Sequence, residues 1–199
     1  MNIKEGYIKF SCKWNKRICN ISDMYFHVLN LNRNRLYNLN LIGMCENGIG
    51  FGNISMRIPN SNDFYITGSS TGKYSKLSKK HFSLVTDFDF NRNFVDCTGQ
   101  FKASSESLTH AAVYVSSPKI NAVVHVHHFN LWKKLKDKIP TTNPAVAYGT
   151  PEMAYEIMRI IQKNETEIVI MGGHEEGILT FGEDLPKAVE VLLSHYQFS

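Results

Sequence analysis

The chain has 199 residues, 43% of them hydrophobic and 20% charged, with a formal net charge of +4. These values fit one globular domain with a real core and exclude a disordered or low-complexity polypeptide. No apolar run reaches the roughly 18–20 residues of a membrane span, and the N-terminal residues 1–17 hold no uninterrupted apolar core or small-residue cleavage site, so a cytoplasmic protein is expected.

The four cysteines, Cys12, Cys19, Cys45 and Cys97, form no C-x-x-C pair, which points to reduced thiols and not to a zinc knuckle or a disulfide framework. Part of the positive excess sits early, in Lys4, Lys9, Lys13, Lys16, Arg17, Arg33 and Arg35 against Glu5 and Asp23. It is too sparse for a nucleic-acid footprint and reads as a solvated face, although a basic surface also suits an anionic substrate.

Residues 1–21 carry no clear pattern. Ser22 is a plausible N-cap for a helix running to about Leu41, with Met24, Val28, Leu31, Leu36 and Leu39 as a loose apolar stripe and Gly43 as its stop. Gly48, Gly50 and Gly52 then lead into a strand, Ile54–Ile58, ended by Pro59. The turn Asn60–Asn62 joins it to Asp63–Thr67, an antiparallel hairpin. Strands follow at Phe82–Val85 and Phe94–Cys97, with Asn91–Asn93 between them. A helix from about Ser105 to Ser116 stops before Pro118, and the apolar strand Ala122–His127 comes next. Helical periodicity returns at Leu131–Lys136 and at Pro151–Asn164, the latter with Thr150 as N-cap and proline at its first position. Glu167–Met171 and Gly177–Phe181 read as strands, and Asp184 caps a last helix with Val189, Leu192, Leu193 and Tyr196 facing inward. The expected fold is α/β (α+β): a central, mostly antiparallel sheet with helices on both faces, in a single domain spanning 1–199.

The sharpest chemical signal is His125-Val126-His127-His128 at a strand end. Alternation puts His125 and His127 on one face, roughly 6–7 Å apart at the backbone, close enough to share a metal; His128 faces away. A third ligand is needed, and His174, after the strand Ile168–Met171 and the turn Gly172-Gly173, is the best candidate, with Glu175 and Glu176 beside it. His27, His81, His110 and His195 have no partner spacing and read as structural or exposed. A second signal is Lys102-Ala103-Ser104-Ser105-Glu106, where hydroxyls and backbone amides meet at a helix start, a ready anion site. The segments 50–53 and 67–72, rich in glycine and hydroxyl groups, could bring further backbone to such an anion.

In order along the chain, Gly-x-Gly-Asn-Ile-Ser (50–55), Ile-Thr-Gly (66–68), Ser-Ser-Glu (104–106), Ser-Ser-Pro-Lys-Ile-Asn-Ala-Val-Val-His-Val-His (116–127) and Gly-His…Gly (173–177) resemble the successive blocks of the class II aldolase/adducin family, from about residue 22 to 197. The resemblance implies a divalent metal, usually zinc, on His125, His127 and His174. It implies a substrate phosphate cradled by Gly52, Asn53, Thr67, Gly68, Ser104 and Ser105, with Glu106 as the acid/base. It also implies a lyase that cleaves a C–C bond of a phosphorylated sugar through a stabilised enediolate, and a homotetramer.

Three departures stand out. Residues 129–143 form a shorter connection than in the family's aldolases and lack the tyrosine that protonates the intermediate there across a subunit contact. Glu175, not glycine, follows the third histidine, and the sequence ends at Ser199 without a closing tail. Tyr148 is a spare proton donor; Trp132, Lys133, Lys134 and Lys136 read as a solvated helix face. The alternatives on the same scaffold are 4-epimerisation of a pentulose phosphate, dehydration of a thio-sugar phosphate, or a non-catalytic adducin-like binding domain. Metal-assisted hydrolysis would need no phosphate cradle.

Overall fold

In the computed structural model, which describes residues 7–196, eight strands form one sheet in the order β1-β7-β6-β5-β4-β8-β10-β9. The elements, in chain order, are β1 (Ser11–Asn15), α1 (Asp23–Asn38), β2 (Gly43–Met44), β3 (Gly50–Phe51), β4 (Asn53–Arg57), β5 (Phe64–Thr67), β6 (Phe82–Asp89), β7 (Phe94–Gly99), α2 (Ser107–Ser116), β8 (Ala122–His127), α3 (Phe129–Leu135), α4 (Pro151–Lys163), β9 (Ile168–Ile170), β10 (Gly177–Gly182) and α5 (Leu185–Tyr196). Lys4, Glu5 and the first part of the patternless segment lie outside the described residues, as does the end of the chain from 197.

The expected antiparallel hairpin is present as β4 with β5, and the sheet is mostly antiparallel as expected, β6 pairing with β7 and β10 with both β8 and β9. The sheet is mixed only at one edge, where β1 lies parallel to β7, Cys12 opposite Val95 and Trp14 opposite Cys97. The sequence carries little trace of β1 because its five residues alternate exposed and half-buried, and the pairing comes from distant chain.

Helices cover both faces. Ile54, Val124, Val126, Ile170 and Ile178 pack with Leu29 and Leu36 of α1, Leu131 and Leu135 of α3, and Val189 and Leu192 of α5. On the other face Ile66, Val85, Val123, Val169 and Leu179 pack with Leu108 and Ala112 of α2 and Met153 and Ile157 of α4. The local signals explain the starts: Ser22 accepts from the Tyr25 amide, Thr150 from Met153 with proline in the first turn, and Asp184 from Lys187.

Several boundaries differ from expectation: β6 runs on to Asp89, α3 starts at Phe129, and two helix ends have clear causes. Asn40, not Gly43, ends α1: at φ 55° it takes the left-handed cap position, with Asn40 N–H to Tyr37 O and Leu41 N–H to Leu36 O, both 3.0 Å. Helix α2 begins two residues late, because Ser104 accepts the Ser107 amide and Glu106 takes the N-cap position without capping. Arg33 does not belong to a solvated face, being only 1% exposed. Among the described residues no helix is long and apolar enough to cross a membrane.

Candidate functional site

Strand β8 sits centrally, with His125 opposite Asn53 of β4 on one side and Leu179 of β10 on the other. Strand alternation turns His125 and His127 together towards the α2 face. The His125 Nδ1 lies 3.3 Å from the Ile178 carbonyl, which presents Nε2 to the cluster. His127 Nε2 stands 3.0 Å from His125 Nε2 and 2.9 Å from His174 Nε2.

His174 arrives from the β9–β10 turn. There Met171 O accepts from the His174 amide and His174 O from Gly177, while Glu176 sits at φ 71°. A side chain at Gly177 would meet His174 Cδ2 at 2.7 Å and His125 Cε1 at 3.2 Å, so this glycine lets the rings close. His128 faces away and caps α3, its Nδ1 accepting from the Leu131 amide.

The donor atoms of the three histidines all lie within 4.8 Å of one another. Metal–nitrogen bonds of about 2.0–2.1 Å in a tetrahedral site put neighbouring donors roughly 3.3 Å apart, close to the spacings seen here. Burial first, then the adjoining His127 and His174, push the His125 imidazole well below its ordinary range, so it stays neutral with a lone pair to give. The residues present therefore fit a divalent cation.

Glu106 stands at the rim of this cluster. It is 2% exposed; Oε2 accepts from the Thr109 hydroxyl at 2.7 Å and Oε1 lies 4.0 Å from His174 Nδ1. Glu106 does not cap its own helix, and its carboxylate faces His174.

A cavity of about 220 Å³ opens in front of these groups. Of the residues singled out from the sequence, His125, His127, His174, Glu106, Gly52, Asn53, Gly68, Ser104 and Ser105 line it. Thr67 does not; its hydroxyl accepts the Ile54 amide at 3.3 Å, tying β5 to β4 behind the wall. The wall also includes Ser69–Gly72, held by the Ser69 amide to Lys102 O at 2.8 Å and the Thr71 hydroxyl to Gly68 O at 2.7 Å. Gly52 is at φ 72°, and a Cβ there would strike Ile42 at 2.7 Å.

Sequence reasoning missed the N-terminal contribution. Tyr7 lines the cavity, and Lys9 Nζ donates to Tyr148 O at 2.8 Å and lies 3.7 Å from the centre of that ring, which itself packs 4.3 Å from the His174 ring. No motif surrounds Tyr7 or Lys9, and only the pairing of β1 brings them here. Trp132 serves the core, donating to Met171 O at 3.0 Å, and the lysines of α3 do not line the cavity.

A family model described as Class II Aldolase and Adducin N-terminal domain matches residues 43–196. A Mycoplasma pneumoniae protein named probable L-ribulose-5-phosphate 4-epimerase UlaF is 36% identical over 77 residues, 39% of this chain and 30% of that protein. A methylthioribulose-1-phosphate dehydratase of Leptospira interrogans is 34% identical over 80 residues, 38% of this chain and 31% of that protein. The matched stretch thus spans under a third of these curated relatives. The solved structure of an L-fuculose 1-phosphate aldolase superposes with a TM-score of 0.67 at 19% identity, covering 89% of this chain and 83% of the other, a likeness of fold.

Proposed function

The chain belongs to the class II aldolase and adducin family, and we propose that it is a single-domain, divalent-metal-dependent lyase cleaving a carbon–carbon bond of a phosphorylated sugar by a retro-aldol reaction. The observation that carries this reading is the convergence of three buried imidazole Nε2 atoms beside a buried carboxylate, in one cavity walled by glycine, serine and threonine.

In this reading His125, His127 and His174 hold the metal, zinc by preference, since neutral nitrogen donors suit it. When bound, such a cation stabilises the negative charge that develops on the substrate's carbonyl oxygen as the neighbouring bond breaks. Glu106 Oε1 takes the proton from the hydroxyl of the breaking bond and returns one to the carbon left behind, while the Thr109 hydroxyl holds Oε2 and fixes the orientation of the carboxylate. Backbone amides and hydroxyls of Gly52, Asn53, Gly68, Ser104 and Ser105 receive the phosphate and orient the reacting end. Thr67 supports this cradle from behind. A cytoplasmic location suits the buried thiols Cys19 and Cys97. Homotetramers would cover apolar surface such as Met24 and Leu31, 59% and 62% exposed on α1.

A second reading is 4-epimerisation or dehydration on the same groups, favoured by the names of the two partial relatives. A non-catalytic binding domain would have no need of the three converging imidazoles. Metal content by mass spectrometry, for wild type and His127→Ala, comes first. About one equivalent of divalent ion per chain, lost in the variant, together with aldehyde release from a phosphorylated ketose, supports the lyase. Epimer formation without aldehyde supports the second reading. No metal in folded wild type, even after incubation with zinc, sinks both.

A further inference from the structure

Arg33 of α1 is 1% exposed, yet among the described residues no carboxylate pairs with it. Its guanidinium donates to three carbonyls, Ser75 O at 3.1 Å and Thr71 O and Gly72 O at 3.4 Å each, and lies 4.4 Å over the half-buried Tyr37 ring. Burial lowers its pKa to about 10, which leaves it charged at neutral pH. A buried charge without a counter-charge is costly, and carbonyl dipoles offset only part of that cost.

Two of the three carbonyls it gathers belong to the wall of the cavity, for Thr71 and Gly72 both line it. In a trans peptide the N–H points opposite to the C=O, so drawing these carbonyls onto Arg33 turns the Gly72 and Lys73 amides away from the guanidinium. The loop packs closely on β2 here: a Cβ at Gly72 would stand 1.9 Å from Gly43 O, so only glycine fits. A full positive charge therefore sits behind the part of the cavity wall that Thr71 and Gly72 form.

We propose that Arg33 is the counter-charge of the substrate's anionic group, a positioning residue that acts on a bound phosphate through the Ser69–Gly72 loop without touching it. This rests on the reading above that the cavity holds a phosphate ester. It adds that recognition depends on a charge hidden behind neutral lining groups and so resists salt screening.

The test measures inorganic phosphate affinity of the full-length protein by titration calorimetry, with Tyr37→Glu and Tyr37→Gln as the deciding pair. Tyr37→Glu leaves Arg33 in place but gives it a carboxylate partner; Tyr37→Gln removes the same ring without charge. Phosphate binding weakened about tenfold in Tyr37→Glu and near wild type in Tyr37→Gln is the expected result. Arg33→Gln, where it folds, should show a similar loss, recovered in large part by Arg33→Lys. Equal binding in all variants, or equal loss in both Tyr37 variants, overturns the proposal and leaves the phosphate reading intact. Wild type that binds no phosphate, or binds it undisturbed by Ser104→Ala, removes the phosphate reading and this inference with it.

Discussion

Two buried polar groups lie against this sheet, one of three histidines and one with a single histidine, and they are built differently. In one, His125, His127 and His174 turn nitrogen donors towards each other and towards a cavity. In the other, His110 of α2 is fully buried, and its Nδ1 meets the Ser55 hydroxyl at 2.7 Å, which in turn lies 2.6 Å from the Tyr114 hydroxyl, with Arg57 donating to Tyr114 O. Three identical imidazoles that turn their nitrogens to one point beside an open cavity form a ligand set. The other group is a chain of unlike donors and acceptors that ties α2 to β4 and does not line that cavity. Burial does not separate the two; convergence does.

The sharpest test of the contrast is Glu106→Gln at the open cluster. The amide keeps shape and can still accept from Thr109, so folding and metal content should hold while kcat falls about 10²–10⁴-fold. Intact turnover with the amide would move the proton transfer elsewhere, with Tyr148 next to be examined.

The closed cluster should show itself in stability against pH. An unfolded histidine binds a proton below about 6.5, but burial holds folded His110 unprotonated down to about 3. Between these values the unfolded chain carries the extra proton. Stability is then full above about pH 6.5 and falls as the pH drops towards 3, by about 1.4 kcal/mol per pH unit for one such group. Urea unfolding at pH 4.5 and 6.5 should find this slope reduced by that amount in His110→Gln; an unchanged slope would mean His110 protonates freely in the folded state.

The smallest effect separates wall from backing. Thr67→Val removes the hydroxyl that accepts from Ile54 and should cost about 1 kcal/mol of stability. The KM for a phosphorylated substrate should stay within about twofold. A tenfold rise in KM would mean that Thr67 meets the ligand after all.

The metal-ligand candidates were legible because their signal is local: a strand period of two carries His125 and His127 to one face, and Gly-His…Gly marks a tight turn. The caps at Ser22, Thr150 and Asp184 were legible for the same reason. The place of Thr67 behind the wall was not legible, because a motif names neighbours in sequence whereas its hydroxyl accepts from the neighbouring strand. Arg33 looked solvated within Asn-Arg-Asn-Arg, since what buries it is a loop 38 to 42 residues away. Tyr7 reaches the cavity, and Lys9 reaches Tyr148 in its wall, from the segment before β1, whose parallel pairing with β7 no local pattern encodes.

The two outer strands carry a consequence for handling the protein in concentrated solution. An open sheet offers unpaired backbone at each margin, a template for adhesion between copies. At β9 that margin is already taken, because Ile170 N–H reaches Pro140 O at 3.0 Å and Thr142 N–H reaches Ile170 O at 2.9 Å. At β1 it is guarded by polarity instead: Ser11, Lys13 and Asn15 face outward, and Lys13 holds Asp96 at 2.6 Å. The short polar strand that follows Tyr7 and Lys9 thus also guards the sheet against lengthening from copy to copy.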